Sequence, residues 1–235
     1  MLYLLNLEFE KQEKVIKHDF YYSILWWFLS LFDGQDDIYN AIIKLSFRIS
    51  KNFTISMGIN GKENYNKVVT SILELGNKWL RIDSYDFRLK QLKFDFQIFD
   101  PSNVRFQDFK KFKLFFNSPT YIKSGKTNHL LPTPERFLYS AYDKLDKIYN
   151  FGIDSKEFKN WLKYYIIVWE YETNTQKITI KKSFKSGVRG FVTYYVNDDN
   201  EEFKKILYIA LQGIKFVWVW TGVKLGCGNV GVSFR

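Results

Sequence analysis

Apolar and polar residues alternate from Phe87 to Phe99, and this pattern constrains the fold most strongly. Alternation with a period of two predicts a β-strand with one buried and one solvated face. The segments from Leu2 to Phe9 and from Asn52 to Met57 also have strand character. Helical spacing of apolar residues predicts helices from His18 to Phe32 and from Asn66 to Lys78. The first part of the chain therefore combines a sheet with two helices, and residues 36–45 fit either a helix or a strand.

The second part of the chain repeats this order of elements. Residues 101–110 are predicted to form a linker between the two parts. The predicted strands are 111–117, 178–184 and 190–196, and the predicted helices are 136–149, 155–165 and 198–211. The order β-α-β-β-α-β is that of ferredoxin-like and RNA-recognition domains. We therefore predict an α+β fold with two tandem ferredoxin-like (RRM-like) βαββαβ domains, at residues 1–100 and 111–235.

The composition and charge indicate a folded protein with a polyanionic partner. Apolar residues make up 46% of the 235 residues, which is enough for a sizeable core. The chain has 35 lysines and arginines against 25 acidic residues, a formal net charge of +10. An excess of this size favours nucleic acid as the partner, with an anionic membrane surface as the second choice.

The few metal-binding and redox-active residues exclude several classes of protein. The single cysteine, Cys227, rules out a disulfide framework and indicates a reducing compartment. With only His18 and His129 beside it, a Cys/His zinc site is excluded, so we expect chemistry without a metal or other cofactor. The most apolar run, residues 20–32, has 13 residues, and a membrane span needs about 20. We therefore expect a soluble, cytoplasmic protein that does not bind a membrane.

A glycine-rich segment near the C-terminus is the most informative motif. It runs from Gly222 to Gly231 and includes Lys224, Gly226 and Gly228. Because glycine has no side chain, the backbone amides of such a loop can approach phosphates closely, and a lysine adds charge. A turn within a sheet is the alternative explanation of this segment.

Several motifs resemble a known family when they are taken in order. Residues 225–230 read L-G-C-G-N-V and are similar to the second half of its C-terminal glycine-rich loop, whereas Trp218 and Trp220 stand in place of glycines of the first half. The further similar segments are 18–22, 51–56, 117–120, 131–134 and 185–191. With them the chain resembles the CRISPR-associated endoribonucleases of the RAMP superfamily, which process precursor crRNA by cutting within each repeat.

This resemblance implies metal-independent cleavage of RNA. A 2′-hydroxyl attacks the adjacent phosphate and leaves a 2′,3′-cyclic phosphate and a 5′-hydroxyl. Many family members use a histidine, a tyrosine and a lysine; the corresponding positions here are Leu45, Phe28 and Lys51. We expect either His18 to replace the missing base, or Lys51 to act with Lys44 or Arg48 without a true base. A lysine with its ordinary pKa would serve mainly to stabilise negative charge.

A second basic segment is a candidate for RNA binding. Four cations, interspersed with Phe184 and Phe191, lie close together in the sequence: Lys181, Lys182, Lys185 and Arg189. Cations that contact the phosphate backbone and aromatic rings that stack on bases are typical of RNA-binding surfaces. The alternative is an ordinary solvated hairpin.

Three functions are consistent with the sequence. The first is a repeat-specific endoribonuclease that binds precursor crRNA. The second is a catalytically inactive relative that holds crRNA as a subunit of an effector complex. The third is a protein-interaction or DNA-binding module that shares only the fold. Besides repeat RNA, the resemblance leaves open other Cas effector subunits and a second copy of the chain, as a homodimer, as partners.

Overall fold

A computed structural model of the chain gives its architecture. It describes residues 1–11, 28, 30–32, 36–49, 53–74, 79–82, 85–124, 127–180, 183–217 and 228–234. The chain divides into two compact units, and the main boundary between them lies between Phe99 and Asp100. The domain limits of 1–100 and 111–235 remain a prediction. None of the helices within these ranges is long and apolar enough to cross a membrane.

The first unit is built on a five-stranded sheet with the strand order β2-β3-β1-β5-β4. The strands are β1 (Leu2–Lys11), β2 (Ile42–Ile49), β3 (Phe53–Asn60), β4 (Trp79–Ile82) and β5 (Tyr85–Phe99). All four pairs are antiparallel. β1 lies between β3 and β5, so both of its edges are paired, and Leu4 and Leu5, on opposite faces of the sheet, are both buried. The strands predicted around residues 2–9, 52–57 and 87–99 are thus confirmed.

Two helices of the first unit are described. α1 (Asp36–Ala41) leads directly into β2, so the ambiguous segment 36–45 is helix in its first part and strand in its second. α2 (Lys62–Leu73) buries Tyr65, Val68 and Ile72, one stripe at helical spacing. Leu73, the last residue of α2, lies off this stripe and is 52% exposed. The helix predicted at 18–32 lies almost entirely outside the described residues.

The second unit is built on a four-stranded sheet with the order β11-β6-β10-β9. Its strands are β6 (Lys111–Thr120), β9 (Ile166–Ile180), β10 (Ser183–Val196) and β11 (Val230–Phe234). The pairs β6–β10 and β6–β11 are antiparallel. A small separate ladder joins β7 (Ile122–Ser124) to β8 (Thr127–His129), and a 3₁₀ turn occupies Pro101–Asn103. The predicted α+β class and ferredoxin-like order are confirmed.

Three helices belong to the second unit: α3 (Pro134–Tyr149), α4 (Ser155–Tyr165) and α5 (Glu201–Gly213). Each begins at a residue suited to a helix start. α3 has Pro134 in its first turn, α4 is capped by the Asp154 carboxylate, and α5 by the Asn200 side chain. α3 ends at Asn150, which adopts the left-handed conformation.

Helix α3 packs on one face of the second sheet. Burial alternates along β6, and Phe112, Leu114 and Phe116 are buried. Phe116 packs edge-on against Phe137 of α3 with ring centroids 5.1 Å apart. The residues of β6 between these positions therefore point to the opposite face, which we call the outer face.

The C-terminal end of α4 and the start of β9 differ from expectation. The sequence suggested that residues 164–169 are buried and that Trp161 and Trp169 lie in a core or subunit contact. Trp161 is buried and donates a hydrogen bond to the Asp198 carboxylate. Trp169, in contrast, is 62% exposed, and Ile167 is exposed too, because β9 is the edge strand of its sheet. Tyr164, in the last turn of α4, is also exposed.

Candidate nucleic-acid interface

The outer face of the second sheet carries cations and aromatic rings in contact with one another. Residues directly opposite in neighbouring strands share a face, and here β10 places Phe191 opposite Phe115 and Tyr195 opposite Lys111. The Lys111 ammonium lies 3.9 Å from the centroid of the Trp169 ring and 5.9 Å from that of Tyr195. The face thus offers both positive charge and π surfaces.

Lys113 lies at the centre of this face and is partly neutralised. Its ammonium is 3.6 Å from the centroid of the Phe191 ring and 3.8 Å from a carboxylate oxygen of Glu170. Glu170 also accepts a hydrogen bond from the Thr193 hydroxyl, at 3.3 Å. Glu170 therefore fixes Lys113 against the sheet, which leaves Lys111 and Arg189 as the more accessible charges.

The ladder between β6 and β10 is irregular where Arg189 lies. Val188 pairs with Thr120 and Gly190 pairs with Phe116, so the segment Asn117–Pro119 lies opposite Arg189 alone. Such a bulge re-aims side chains and is common beside functional sites. Pro119 suits this position because proline has no N–H to donate to the ladder.

The bulge is joined to the end of the glycine-rich segment by hydrogen bonds. The Asn117 N–H donates to the Asn229 carbonyl at 2.9 Å, and the Asn229 N–H donates to the Ser118 hydroxyl at 2.9 Å. Gly228, directly before, is buried and has a φ of +80°, a conformation that favours glycine. Two segments that are more than a hundred residues apart in sequence thus meet at one point.

Arg189 is held at the same point. Its Nη2 donates to the Asn117 carbonyl at 3.1 Å, and its Nη1 donates to the Gln176 side-chain oxygen at 3.3 Å. These acceptors lie on β6 and β9, the two strands that flank β10, so the guanidinium bridges them. It remains exposed to solvent.

Gly190 is required by the packing of β10 against β9. It has a φ of +118°, and a Cβ atom added there would lie 2.0 Å from the Glu172 carbonyl oxygen. Gly187 is similarly enclosed, since an added Cβ would lie 2.7 Å from the Thr120 backbone nitrogen. The two glycines let the backbones approach closely on either side of Arg189.

An open cavity of about 560 Å³ lies beside Arg189 on this face. Its walls include Phe115 and Phe191, and its polar lining includes Asn117 and Gln176. The cavity is therefore a place where an aromatic ligand with polar edges would find both kinds of contact.

The predicted site residues fall into three groups. Arg189 and Gly228 are described. Asn117 connects their surroundings, since its carbonyl accepts from Arg189 and its N–H donates to Asn229, next to Gly228. Lys185 lies on β10, where only its backbone is described. The others lie outside the described residues: His18, Lys51, Lys181, Lys182, Gly222, Lys224 and Gly226.

Sequence reasoning missed the residues of β6 and β9 that complete the outer face: Lys111, Lys113, Phe115, Asn117 and Trp169. The signal for β6 was present, because cations and an aromatic residue alternate with buried residues from Lys111 to Asn117.

The positions that match the family's histidine and tyrosine lie in the core. Leu45 is buried in β2, and Phe28 is fully buried and packs edge-on against Phe32 at 5.2 Å. Lys44 is also buried, with 3% of its surface exposed. Among the described residues, no three histidine, cysteine or acidic side chains cluster as a metal site requires.

A family model decides the classification. The model of the CRISPR-associated endoribonuclease Cas6 matches residues 114–230. Residues 114–230 therefore form a Cas6-family region of this chain. The matched range includes the bulge of β6, Arg189 and all but the last residue of the glycine-rich segment, and the resemblance inferred from the sequence motifs is confirmed.

Solved Cas6 structures share the fold over the whole chain. A Cas6 product complex has a TM-score of 0.81 and 16% identity and covers 99% of this chain and 100% of its own. A Cas6 substrate mimic complex has a TM-score of 0.81 and 18% identity, with 99% of each chain covered. Thermus thermophilus Cas6 has a TM-score of 0.76 and 15% identity and covers 99% of this chain and 98% of its own. No curated protein sequence matches the chain.

Proposed function

We propose that this protein binds the repeat RNA of a CRISPR transcript and cuts precursor crRNA within the repeat. The observation that carries the proposal is the match of the family model to residues 114–230, the range that builds most of the outer face. Structures of Cas6 proteins as a product complex and as a substrate mimic complex share the fold and support it.

The outer face would supply much of the RNA affinity. Lys111 and Arg189 would pair with phosphates, while exposed rings such as Trp169 would stack on unpaired bases. The glycine-rich segment, with Gly222, Lys224, Gly226 and Gly228, would bring backbone amides close to the phosphates. Lys181, Lys182 and Lys185 would extend the positive surface along the hairpin.

The cleavage step needs no cofactor in this proposal. The 2′-hydroxyl upstream of the scissile phosphate loses its proton to a base, and its oxygen forms a bond to phosphorus. The bond from phosphorus to the 5′-oxygen breaks, and that oxygen gains a proton. His18 is the proposed proton acceptor, and Lys51 is proposed to stabilise the charge that develops on the phosphate.

Cleavage of end-labelled repeat RNA in EDTA tests this function. The proposal predicts one cut, with a 2′,3′-cyclic phosphate on the upstream product. His18→Ala and Lys51→Ala should each lower the rate about 100-fold or more, whereas the control variants His129→Ala and Lys156→Ala should retain it. Full activity of both test variants would overturn the assignment of these two residues. A requirement for added metal would overturn the proposed mechanism.

A second candidate is a catalytically inactive relative that holds crRNA in an effector complex. The observation that favours it is the burial of Phe28 and Leu45, the positions matched to the family's tyrosine and histidine. In the same assay this protein would bind repeat RNA tightly and yield no product. Association with other Cas subunits or with a second copy of the chain also remains a proposal, which light scattering with and without RNA can test.

A further inference from the structure

We infer that the cavity beside Arg189 binds a single unstacked guanine of the RNA and reads its identity. The inference rests on the proposed function, because it presupposes an RNA ligand on the outer face. It adds a specificity-determining residue, Arg189, and a defined base to that proposal.

The shape of the cavity suits one nucleotide with a free base. Its volume of about 560 Å³ lies within the range of roughly 300–1,000 Å³ that small-molecule sites occupy. It opens on a sheet face, where a single splayed-out base can lie against a ring, whereas a base pair within a duplex would present no free face. The occupant is therefore expected in a single-stranded part of the RNA.

The walls of the cavity favour a flat aromatic ligand. Phe115 is 38% exposed and lies on β6 opposite Gly231 of β11. Because Gly231 has no side chain, the ring of Phe115 is not covered from that strand. One face of the Phe191 ring is already taken by the Lys113 ammonium, which leaves Phe115 as the ring on which a base would stack.

The orientation of Arg189 selects guanine. Two of the five N–H groups of its guanidinium are engaged, by the Asn117 carbonyl and the Gln176 side chain, so three remain for a ligand. A guanidinium held in this way presents a planar pair of donors, which matches the O6 and N7 acceptors of guanine. Adenine has an amino donor in place of O6 and would leave one of these donors unpaired.

Contact between Arg189 and a phosphate is the main alternative, and it predicts different behaviour. A phosphate contact would weaken with Arg189→Lys equally for all sequences, because lysine keeps the charge and loses only the planar fork. If Arg189 instead contacts a base, Arg189→Lys would abolish the preference of the protein for guanine and leave the salt dependence of binding unchanged.

Fluorescence anisotropy with four labelled RNA heptamers tests the inference. Each is a uridine heptamer whose central position carries guanosine, inosine, 7-deazaguanosine or adenosine. Wild-type protein should bind the guanosine and inosine heptamers about tenfold more tightly than the other two. Arg189→Lys should abolish this preference, Phe115→Ala should weaken guanosine binding, and Arg105→Lys, an exposed arginine outside the cavity, should change nothing.

Equal affinity of wild-type protein for all four heptamers would overturn the inference. So would a preference for guanosine that survives in Arg189→Lys, and so would the absence of binding to every heptamer. The proposed function has a separate outcome: it stands if the same protein preparation still binds and cuts repeat RNA, and it fails if neither is seen.

Discussion

At the scale of single residues, the close approach of strands β9 and β10 depends on Gly190. The residue combines a φ of +118° with a position where any side chain would meet the Glu172 carbonyl. A residue other than glycine would have to strain its backbone and push the strands apart. Gly190 thus keeps the neighbouring Arg189 in reach of its two acceptors.

Gly190→Ala should destabilise the fold by about 3 kcal/mol or more, because backbone strain and a steric clash add together. Gly152→Ala is the matched control. Gly152 also has a positive φ, of +73°, but an added Cβ would meet nothing within 4 Å. The control should cost only about 1 kcal/mol. Urea denaturation measures both free energies of unfolding, and equal costs would contradict the role assigned to the Glu172 carbonyl.

A buried lysine makes a second residue-scale prediction. Lys204, on α5, is buried, with 4% of its surface exposed. Its ammonium bonds to the carboxylate of Asp108. This hydrogen bond lowers the pKa of Asp108 below its usual value of 3.8. The lowered pKa means that the interaction stabilises the fold fully above pH 3.8 and is lost as the pH falls from there through the lower pKa of the folded protein.

Asp108→Asn should therefore destabilise the protein at pH 7, where it leaves the Lys204 charge without its carboxylate. The difference between wild type and variant should shrink as the pH falls below the ordinary pKa of 3.8, because the Asp108 carboxyl is protonated first in the unfolded chain and, at its lower pKa, later in the folded protein. Urea denaturation between pH 3 and pH 7 provides the measurement. A difference that stays constant over this range would contradict the interaction.

At the scale of secondary-structure elements, the bulge of β6 links the strand to the glycine-rich segment. Ser118 provides the side chain for this link, since its hydroxyl accepts from the Asn229 N–H at 2.9 Å. This hydrogen bond holds the end of the glycine-rich segment, which is proposed to approach the RNA backbone, against β6.

Ser118→Ala should cost about 1 kcal/mol of stability through the lost hydrogen bond and should also weaken binding of repeat RNA. Ser102→Ala is the control. It removes a serine hydroxyl that donates to Asp100 at 2.7 Å on the surface, away from the bulge. RNA affinity measured by filter binding should fall only in the first variant. An equal fall in both would show that the link has no part in binding.

At the scale of the whole molecule, the net charge of +10 makes RNA affinity dependent on salt. Part of the charge that is proposed to contact RNA lies on the outer face, whereas cations such as Lys156 lie on helix α4. The position of a cation, as well as the total charge, should therefore determine its contribution to the salt dependence of RNA affinity.

Lys111→Gln should reduce the slope of log Kd against log salt concentration by about 0.7, the value for one contact to single-stranded nucleic acid. Lys156→Gln removes the same charge from an exposed position on α4 and should leave the slope unchanged. Titration of repeat RNA at several salt concentrations gives both slopes. The same decrease in both variants would mean that RNA responds to overall charge alone.

The order of elements was predictable because hydrophobic periodicity is a local property. The secondary structure of residues 36–45 was not predictable, since α1 has only six residues and passes into β2 without a loop. The exposure of Trp169 depends on β9 being an edge strand, which no local pattern reveals. The bulge opposite Arg189 is a matter of register between strands about 70 residues apart, so the motif 117–120 was visible but its role was not. Most of the candidate site residues named from sequence, including His18 and Lys51, stay predictions.

Cross-linking of repeat RNA to the protein tests the central claim most directly. Repeat RNA that contains 4-thiouridine would be irradiated in the complex, and the linked peptides identified by mass spectrometry, with a scrambled RNA as the control. The account predicts links on the outer face, within Lys111–Thr120 of β6 and Ser183–Val196 of β10, and fewer with the control. Links confined to helices α3, α4 and α5, or equal links with both RNAs, would contradict it.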